Sequence, residues 1–304
     1  MNHIKMVTVV ISTYNGGKYL ARQLDSIFAQ EEVKVKVFVR DDGSSDNSRE
    51  VLEQYQKEKQ PENLLFSFEE NCGWQRSFLK ALLKAPDADY YAYSDQDDIW
   101  FPEKLKKCVE KLEKHNNTMP LMVHHDRKRV DAELNPLPDT SIKPDRPLNY
   151  QQAVLAEQQG CAMVFNRTAK DMVCRYMPKA KVPHDQWVNT LCYYFGEIYS
   201  IKSPLIYHIQ YGNNTSTAGN VRGGQLQRFR TLLSGKEVYI NVAEDLLRGY
   251  GDLLSYEQRE FLIRLRDYRH NIYYRLRLLF SPNFRRLSII GTIGLKISIL
   301  LGKI

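Results

Sequence analysis

Short apolar runs alternate with longer segments of helical periodicity along the first hundred residues. Residues 6–11 form a β-branched apolar run that ends at a polar, glycine-containing segment, which predicts a buried strand followed by a turn. Residues 19–30 then place Leu20, Leu24 and Ile27 on one helical face. The chain therefore opens with a strand and a helix.

The same succession continues to the end of the fourth apolar run. We predict strands over residues 33–39, 64–68 and 90–93, and helices over residues 48–59 and 78–84. Strands that alternate with helices in this way are typical of a mostly parallel sheet covered on both faces. The predicted fold class is therefore α/β.

The alternation loosens after about residue 115. We predict further strands within residues 120–131, 160–165 and 198–207, helices from about residue 167 and over residues 185–195, and a proline-rich loop over residues 133–148. The composition changes to arginine-rich helical segments near residues 219–224. We therefore predict an α/β domain over residues 1–220 and a basic helical extension over residues 221–304.

The composition places the chain among ordinary globular proteins. With 304 residues, 43% of them hydrophobic and 26% charged, it has room for one α/β domain and an appendage. The five cysteines are scattered and form no Cys-x-x-Cys pair, which argues against a zinc site or a disulfide framework. The N-terminal residues lack a signal-peptide pattern. We therefore expect reduced thiols and a cytoplasmic location.

The net charge of +7 is concentrated in the C-terminal region. Residues 221–304 contain 15 Lys and Arg against 7 Asp and Glu, or +8, whereas the first 220 residues contain 28 against 29, or −1. This asymmetry favours an anionic partner, either nucleic acid or a phospholipid surface. No nucleic-acid recognition module is evident, so we expect a membrane surface and no nucleic acid.

The last residues are apolar but poorly suited to cross a bilayer. Residues 287–304 contain Lys296 and three glycines, and a segment of about 18 residues with a central charge is marginal for a span. We predict an amphipathic helix in the membrane plane, with the arginines of residues 259–286 at anionic headgroups. The alternative is a helical subdomain that packs on the rest of the chain or on a second subunit.

Polar side chains follow three of the predicted strands, where ligands of open parallel sheets bind. They are Thr13, Tyr14 and Asn15, then Asp41 and Asp42, then Asp95, Asp97 and Asp98. Neither a Gly-x-Gly-x-x-Gly fingerprint nor a P-loop is present to hold phosphates. The last cluster instead favours Mg²⁺ or Mn²⁺, since a cation relieves the repulsion between carboxylates. The alternative is that Asp97 and Asp98 cap a helix starting near Pro102.

Four segments resemble the family 2 glycosyltransferases of the GT-A fold, especially the bacterial rhamnosyltransferase-like branch. They are residues Val9–Gly16, Arg40–Asp46, Ser94–Trp100 and Pro183–Trp187. They occur in the family's order and spacing, and the resemblance spans residues 7–215, about two thirds of the chain. It implies a GT-A catalytic domain, a nucleoside diphosphate sugar donor and a Mn²⁺ or Mg²⁺ cofactor.

The resemblance also implies roles for the residues at the strand ends. Thr13, Tyr14 and Asn15 are expected to line the nucleobase pocket, and Asp42 to hold the base or the ribose. Asp97 is the expected direct metal ligand, and Asp95 would contact both the metal and the ribose. Asp98 is expected to be a helix cap or to act behind the ligands. The metal would bridge the donor diphosphate.

Residues His184-Asp185 match the family's general-base position. Asp185 would take the proton of an acceptor hydroxyl in an inverting reaction, and His184 would orient this carboxylate or contact the acceptor. A simple N-terminal helix cap is the alternative for Asp185.

Three further residues are predicted to bind the acceptor. Trp187 offers a face for sugar stacking, although a core position is the alternative, and Trp100 and Asp126 are expected at the acceptor cleft. Adjacent His124 and His125 point to opposite faces of a strand and cannot share one ion.

One position departs from the family pattern. Related enzymes carry a histidine just before the Gly-Asn-Asn that follows the last strand, whereas this chain has Tyr211 there and His208 three residues earlier. Tyrosine is a poor Mg²⁺ ligand, so a third protein ligand is in doubt.

The expected function is an inverting, metal-dependent transfer of a sugar, with dTDP-rhamnose as donor and a lipid-linked cell-surface saccharide as acceptor. The enzyme would lie on the inner face of the cell membrane, and association into a homo-oligomer stays open. The alternatives are a UDP-hexose transferase and a non-catalytic membrane-bound scaffold. A nucleotidyltransferase would need a glycine- and lysine-rich loop after the first strand, which is absent.

Overall fold

The computed structural model describes residues 4–59, 62–138, 148–155, 159–180, 182–211 and 238–304. The chain forms two compact units. Unit 1 comprises residues 1–139, 158–177 and 183–211, and unit 2 comprises residues 140–157, 178–182 and 212–304. The boundary predicted near residues 219–224 lies outside the described residues.

Within the described part of unit 1, eight strands form one sheet in the order β3-β2-β1-β4-β7-β6-β8-β5. They are β1 (Met6–Thr13), β2 (Lys34–Asp41), β3 (Leu64–Phe68), β4 (Tyr90–Ser94), β5 (Ile99–Trp100), β6 (Leu121–Val130), β7 (Met163–Asn166) and β8 (Glu197–Ile209). The first four strands in this order are parallel, as are β6 and β8. Strand β7 runs antiparallel to β4 and β6. The predicted α/β class with a mostly parallel sheet is confirmed.

Helices cover this sheet on both faces. They are α1 (Gly17–Phe28), α2 (Ser48–Lys59), α3 (Trp74–Lys84), α4 (Lys104–Leu112), α6 (Arg167–Arg175) and α7 (His184–Phe195). The stripe predicted for the first helix is fully buried at Leu20, Leu24 and Ile27, where it packs in the same core cluster as Val9 of β1 and Val37 of β2. This packing fixes the position of the loop between β1 and α1.

Helix α3 contains residues 78–84, as predicted, and begins four residues earlier, at Trp74. Gly73 precedes it with φ 82°, a left-handed conformation that glycine adopts without steric cost. The chain can therefore turn sharply into the helix at Trp74.

The described part of unit 2 is helical. It contains α5 (Tyr150–Ala153), α8 (Val238–Tyr250), α9 (Tyr256–Asp267), α10 (Ile272–Leu279) and α11 (Ile289–Leu300). The last three helices begin after Ser255, Asn271 and Ser288, whose side chains each accept a main-chain N–H of the first turn. None of the helices described anywhere in the chain has the length and apolar character needed to cross a membrane.

Candidate functional site

The carboxyl ends of β1, β2 and β4 meet at one edge of the sheet. The register pairs Thr13 with Asp41 across β1 and β2, and Ile11 with Ser94 across β1 and β4. The polar segments that follow these strands are therefore neighbours in space. The sequence predicted this edge from strand order alone.

Gln96 ties the first of these segments to the third. Its side-chain oxygen accepts hydrogen bonds from Thr13 Oγ1 at 2.7 Å and from the main-chain N–H of Tyr14 at 3.0 Å. The Tyr14 side chain remains 53% exposed. A Cβ at Gly16 would lie 2.4 Å from Thr13 Oγ1, so this turn requires glycine. Thr13 and Tyr14 thus stand beside the acidic cluster.

Asn15 joins the first segment to the second. Its N–H donates to Ser44 Oγ at 2.9 Å, and its Oδ1 accepts the N–H of Ser45 at 2.8 Å. Asn15 has φ 50°, a left-handed conformation that asparagine tolerates better than most residues. Its side chain is therefore committed to holding two loops together.

Asp42 is buried and its carboxylate is occupied by protein donors. Oδ1 accepts the N–H of Cys72 at 2.9 Å and a guanidinium hydrogen bond from Arg40, and Oδ2 accepts the N–H of Gly73 at 3.0 Å. Burial lowers the pKa of the Arg40 guanidinium, but the hydrogen bond to Asp42 and the nearby charges of Asp42 and Glu69 together bring a net rise. Asp42 therefore anchors the start of α3 at this edge. Contact with a base or ribose stays a prediction.

The two other carboxylates of this segment are also fully bonded. Asp41 accepts the N–H groups of Gly43 and Ser44 on Oδ1 and the Ser44 hydroxyl on Oδ2. Asp46 accepts the N–H of Gly17 on Oδ2 and the N–H of Ser48 on Oδ1. This part of the sheet edge is thus held by hydrogen bonds to protein donors, both within the loop and across to the start of α1.

Asp98, after β4, is buried and makes a long-range contact that the sequence reasoning missed. His208 of β8 donates from Nδ1 to Asp98 Oδ1 at 2.9 Å. The other oxygen, Oδ2, is buried and has no hydrogen-bond partner among the described residues. Helix α4 begins only at Lys104, so the expectation that Asp98 caps a helix is wrong.

Asp95 and Asp97 lie close to this charge and hold protons more tightly than usual. Burial and repulsion from Asp98 raise the pKa of Asp95 to about 6 and that of Asp97 to about 7. Lys104 lies beneath the cluster, where its Nζ donates to the main-chain oxygen of Cys161 at 2.8 Å and burial lowers its pKa to about 7. One buried lysine does not balance three carboxylates, so the cluster retains a need for positive charge.

The donor set suits a cation. One ligand atom from each of Asp95, Asp98, Cys161 and His208 lies within 4.8 Å of the others. The carboxylate oxygens, including the orphaned Oδ2 of Asp98, are the ligands that Mg²⁺ and Mn²⁺ prefer. Burial raises the pKa of Cys161, which keeps this residue a neutral thiol. The group includes Asp98 but not Asp97, the residue that the sequence favoured.

Tyr211, at the position that departs from the family pattern, contacts the positively charged side chain of Arg22. Tyr211 accepts a hydrogen bond from the Arg22 guanidinium, and its ring lies 4.5 Å from that of Tyr19. Arg22 and Tyr19 belong to α1, so this contact links the first helix to the end of β8. Sequence spacing gave no signal for Arg22.

His184 is buried in a nest of aromatic rings. Its ring stacks on Phe78 at 3.9 Å between centroids and meets the edges of Tyr93 at 4.6 Å and Trp74 at 5.8 Å. Burial lowers its pKa to about 3, so the ring is neutral. Neither ring nitrogen has a hydrogen-bond partner among the described residues. His184 therefore makes no hydrogen bond to Asp185 in the described part of the chain, and its expected role in orienting that carboxylate or contacting the acceptor stays a prediction.

Asp185 occupies the first turn of α7 and is half-buried. Its Oδ1 accepts the N–H of Gln186 at 2.8 Å, within the first turn of the helix. Burial raises the pKa of Tyr93, and the charge of Asp185 adds to this shift. Because Tyr93 directly precedes the acidic segment of β4, Asp185 lies near the same edge of the sheet.

The predicted stacking surfaces are corrected by the structure. Trp187 is fully buried, because α7 is buried around most of its circumference, and it is a core residue rather than a sugar platform. Trp100 is also buried, with Lys104 Nζ 3.1 Å from its ring centroid. Of the chain's three tryptophans only Trp74 is exposed, at 44%, and it contacts His184.

Asp126 lies apart from these groups in sequence, on β6. The pairing of β6 with β8 is irregular on both sides of this residue, which marks a bulge, and its side chain is half-buried. The neighbouring His125 ring is buried and donates from Nδ1 to the Asp126 main-chain oxygen at 2.7 Å. The predicted contact of Asp126 with an acceptor stays a prediction.

Comparisons with known proteins agree with this arrangement. The model of the family described as glycosyl transferase family 2 matches residues 8–172. An uncharacterised glycosyltransferase of Nostoc sp. is 28% identical over 278 residues, which cover 88% of this chain and 82% of the relative. The dTDP-rhamnosyl transferase RfbG of Shigella flexneri is 36% identical over 107 residues, which cover 34% of this chain and 36% of that protein.

Solved structures show the same fold. The crystal structure of S. aureus TarS residues 1–349 in complex with UDP-GlcNAc matches with a TM-score of 0.58 and 18% identity, over 96% of this chain and 81% of that one. The mannosyltransferase PcManGT from Pyrobaculum calidifontis, in complex with GDP-Man and Mn²⁺, matches with a TM-score of 0.52 and 16% identity, over 100% of this chain and 89% of that one. The GT-A fold expected from the sequence is thereby confirmed.

Proposed function

We propose that this chain, which belongs to glycosyl transferase family 2, transfers a sugar from a nucleoside diphosphate to a saccharide acceptor with inversion at the anomeric carbon. Family membership makes the chain a glycosyltransferase. The observation that supports a nucleoside diphosphate donor is the meeting of three strand ends at one edge of the sheet. There Gln96 joins the Thr13-Tyr14 turn to the acidic cluster. Such an edge is where nucleotides bind in open α/β sheets.

The acidic cluster fits a divalent cation. Asp95 and Asp98 would hold Mg²⁺ or Mn²⁺, with Asp97 beside them, because their mutual repulsion and the orphaned Asp98 Oδ2 favour a positive charge. When bound, the cation neutralises the diphosphate of the departing nucleotide. His208 holds the Asp98 carboxylate in place through its hydrogen bond. Thr13 and Tyr14 would contact the nucleoside, and Asn15 and Asp42 would shape its pocket through the loops that they hold.

Asp185 is the proposed general base. It takes the proton from the acceptor hydroxyl as that oxygen bonds to the anomeric carbon, while the bond from this carbon to the phosphate oxygen breaks and the nucleoside diphosphate leaves. Its position at the start of α7 favours the ionised carboxylate, since the helix N-terminus is electropositive. Trp74 replaces Trp187 and Trp100 as the proposed surface for an acceptor sugar, because it alone among the tryptophans is exposed.

We propose dTDP-rhamnose as the donor and a lipid-linked cell-surface saccharide as the acceptor. The partial similarity to a dTDP-rhamnosyl transferase supports this donor. The solved structure that holds UDP-GlcNAc makes a UDP-hexose the main competitor. A lipid-linked acceptor places the reaction at the inner face of the membrane, with residues 1–220 as catalytic domain and residues 221–304 as the membrane-facing extension.

A donor panel tests this function. The purified chain is incubated with Mn²⁺, membrane lipid extract and each of dTDP-rhamnose, UDP-glucose, UDP-GlcNAc and GDP-mannose, and sugar transfer to lipid is measured. We expect transfer from dTDP-rhamnose that EDTA abolishes. Turnover with UDP-hexoses alone would exclude rhamnose. Donor binding without turnover of any donor, when the extract supports a control transferase, would favour the non-catalytic scaffold.

A further inference from the structure

Helix α11 presents an apolar stripe to solvent in unit 2. Ile289 and Ile290 are 80% and 76% exposed, and Ile293, Leu300 and Leu301 are each more than half exposed. Residues three and four apart share one face of a helix, so these five side chains form one stripe, which we call the α11 stripe. It contains no charged or polar side chain.

The single charged residue of α11, Lys296, lies three residues after Ile293 and four before Leu300, at the border of this stripe, but its ammonium group is bonded within unit 2. Lys296 donates from Nζ to the main-chain oxygens of Leu278 and Ser281 at 2.7 and 2.9 Å, at the C-terminal end of α10. Burial there lowers the pKa of Lys296 to about 8. The charge that made this segment a poor candidate for a bilayer span is therefore held by main-chain oxygens of unit 2, and the strongly exposed side chains of α11 are apolar.

Helix α10 packs against α11 and adds exposed apolar side chains. Ile272, Leu276 and Phe280 are exposed at successive turns of α10, as is Tyr273 beside them. Single exposed apolar residues are ordinary, but a concentration of this kind on two adjoining helices marks an interaction surface.

The charge of this segment indicates the partner. Residues 268–304 contain seven Lys and Arg and no Asp or Glu, so they carry +7, as much as the net charge of the whole chain. Among these residues Arg285 precedes the α11 stripe, Lys303 follows it, and both are exposed. A second copy of the same surface would bring like charges together, whereas anionic headgroups over acyl chains match both its charge and its apolar stripe.

We propose that the α11 stripe enters the interfacial layer of a bilayer that contains anionic phospholipid, with Arg285 and Lys303 at the headgroups. This proposal identifies the surface that would hold the chain at the membrane named in the proposed function. It rests on the proposed function only for the reason why the chain would bind a membrane. Lipid binding itself needs neither donor nor acceptor, so the two can fail separately.

The test is vesicle co-sedimentation of the full chain with phosphatidylcholine alone and with added phosphatidylglycerol. We expect binding to the anionic vesicles that falls as salt is raised. The double variant I289E/I293E should bind at least about tenfold more weakly, because each glutamate removes apolar area and is repelled by the headgroups. Both positions are exposed, so the variant should keep the fold and the melting temperature of the wild type.

The matched control is L253E/Y256E. It replaces two exposed apolar residues of the same unit with the same two charges, outside residues 268–304. We expect it to bind vesicles as the wild type does. Equal loss in both double variants would show a general effect of charge and would contradict the assigned stripe.

Other outcomes also decide the matter. The proposal is overturned if the wild-type protein does not bind anionic vesicles, or if I289E/I293E binds them as tightly as the wild type does. A lipid-free dimer that dissociates in I289E/I293E would assign the stripe to a second copy instead. Vesicle binding without sugar transfer would contradict the proposed function and leave this surface standing.

Discussion

The β2 side and the β4 side of this sheet edge differ in how their buried polar groups are hydrogen-bonded. On the β2 side both oxygens of Asp41, Asp42 and Asp46 accept protein hydrogen bonds. On the β4 side Asp98 Oδ2, Tyr93 Oη and both ring nitrogens of His184 are buried without partners among the described residues. Buried polar groups are normally paired. The protein itself therefore completes the hydrogen bonding of the β2 side but not that of the β4 side.

This difference separates architecture from chemistry. The bonded carboxylates shape the nucleotide edge before any ligand arrives, and their cost of burial is already met by protein donors. The unbonded groups, together with the raised pKa values of Asp95 and Asp97, mark the side where a cation, diphosphate and acceptor would enter. Substitutions on the two sides should therefore fail in different ways.

The largest effect is expected at the proposed base. Asp185→Asn should lower transfer by about 10²- to 10⁴-fold, because an amide cannot accept the acceptor proton. Donor affinity, measured by calorimetry, should stay unchanged, since the proposed role of Asp185 is on the acceptor. Full activity in this variant would show that another group is the base.

A substitution inside the acidic cluster should impair activity without unfolding the protein. Asp98→Asn should lower transfer by about 100-fold or more through loss of a charged ligand, while the amide oxygen still accepts from His208. The metal-free melting temperature should hold or rise, because the repulsion felt by Asp95 and Asp97 is relieved. A marked loss of stability with activity intact would mean that Asp98 serves the fold alone.

The same substitution on the bonded side should have the opposite signature. Asp42→Asn weakens the buried pair with Arg40 and sets an NH₂ group against main-chain N–H donors, so unfolding free energy should fall by about 3 kcal/mol. Urea denaturation measures this change. A variant as stable as wild type would remove the distinction between the two sides.

The buried histidine supplies a pH test. The pKa of His184 is about 3 in the folded chain and about 6.5 when unfolded, so below pH 6.5 the unfolded state binds the extra proton. Unfolding free energy should therefore fall by about 1.4 kcal/mol per pH unit between pH 6.5 and pH 3 on account of this residue. His184→Asn should remove that part of the slope. Identical slopes in the two proteins would contradict a buried neutral ring.

The smallest effect is expected at the acceptor platform. Trp74→Ala should raise the KM for acceptor by about five- to tenfold, the loss expected for one aromatic contact, with kcat nearly unchanged. Trp74→Phe should restore part of the affinity. An unchanged acceptor KM in the alanine variant would remove Trp74 from the site.

The sequence predicted the first side better than the second for a physical reason. Parallel strands that alternate with helices bring their carboxyl ends to one edge, so the positions of Thr13 and Asp42 follow from order alone. The contact between Asp98 and His208 joins residues 110 positions apart, on strands whose pairing the periodicity does not reveal. Proximity of this kind needs the register of the whole sheet.

The tryptophans illustrate the same limit. Helix α7 buries polar residues such as Gln186 and Asn189 as well as apolar ones, so its pattern does not tell which face meets solvent, and the burial of Trp187 could not be predicted. Trp74 was missed because Gly73, in its left-handed conformation, starts α3 four residues earlier than the apolar spacing predicted. Exposure of an aromatic side chain is decided by tertiary packing rather than by its neighbours in sequence.

The most direct test of the difference between the β2 side and the β4 side is the calorimetric binding of dTDP and of UDP, each measured with Mn²⁺ and with EDTA. The wild-type chain should bind its nucleotide at least about tenfold more tightly with Mn²⁺, Asp185→Asn should behave identically, and Asp98→Asn should lose the Mn²⁺ effect. Nucleotide binding that is indifferent to Mn²⁺, or equally metal-dependent in Asp98→Asn, would contradict the assignment of the unbonded side to the cation.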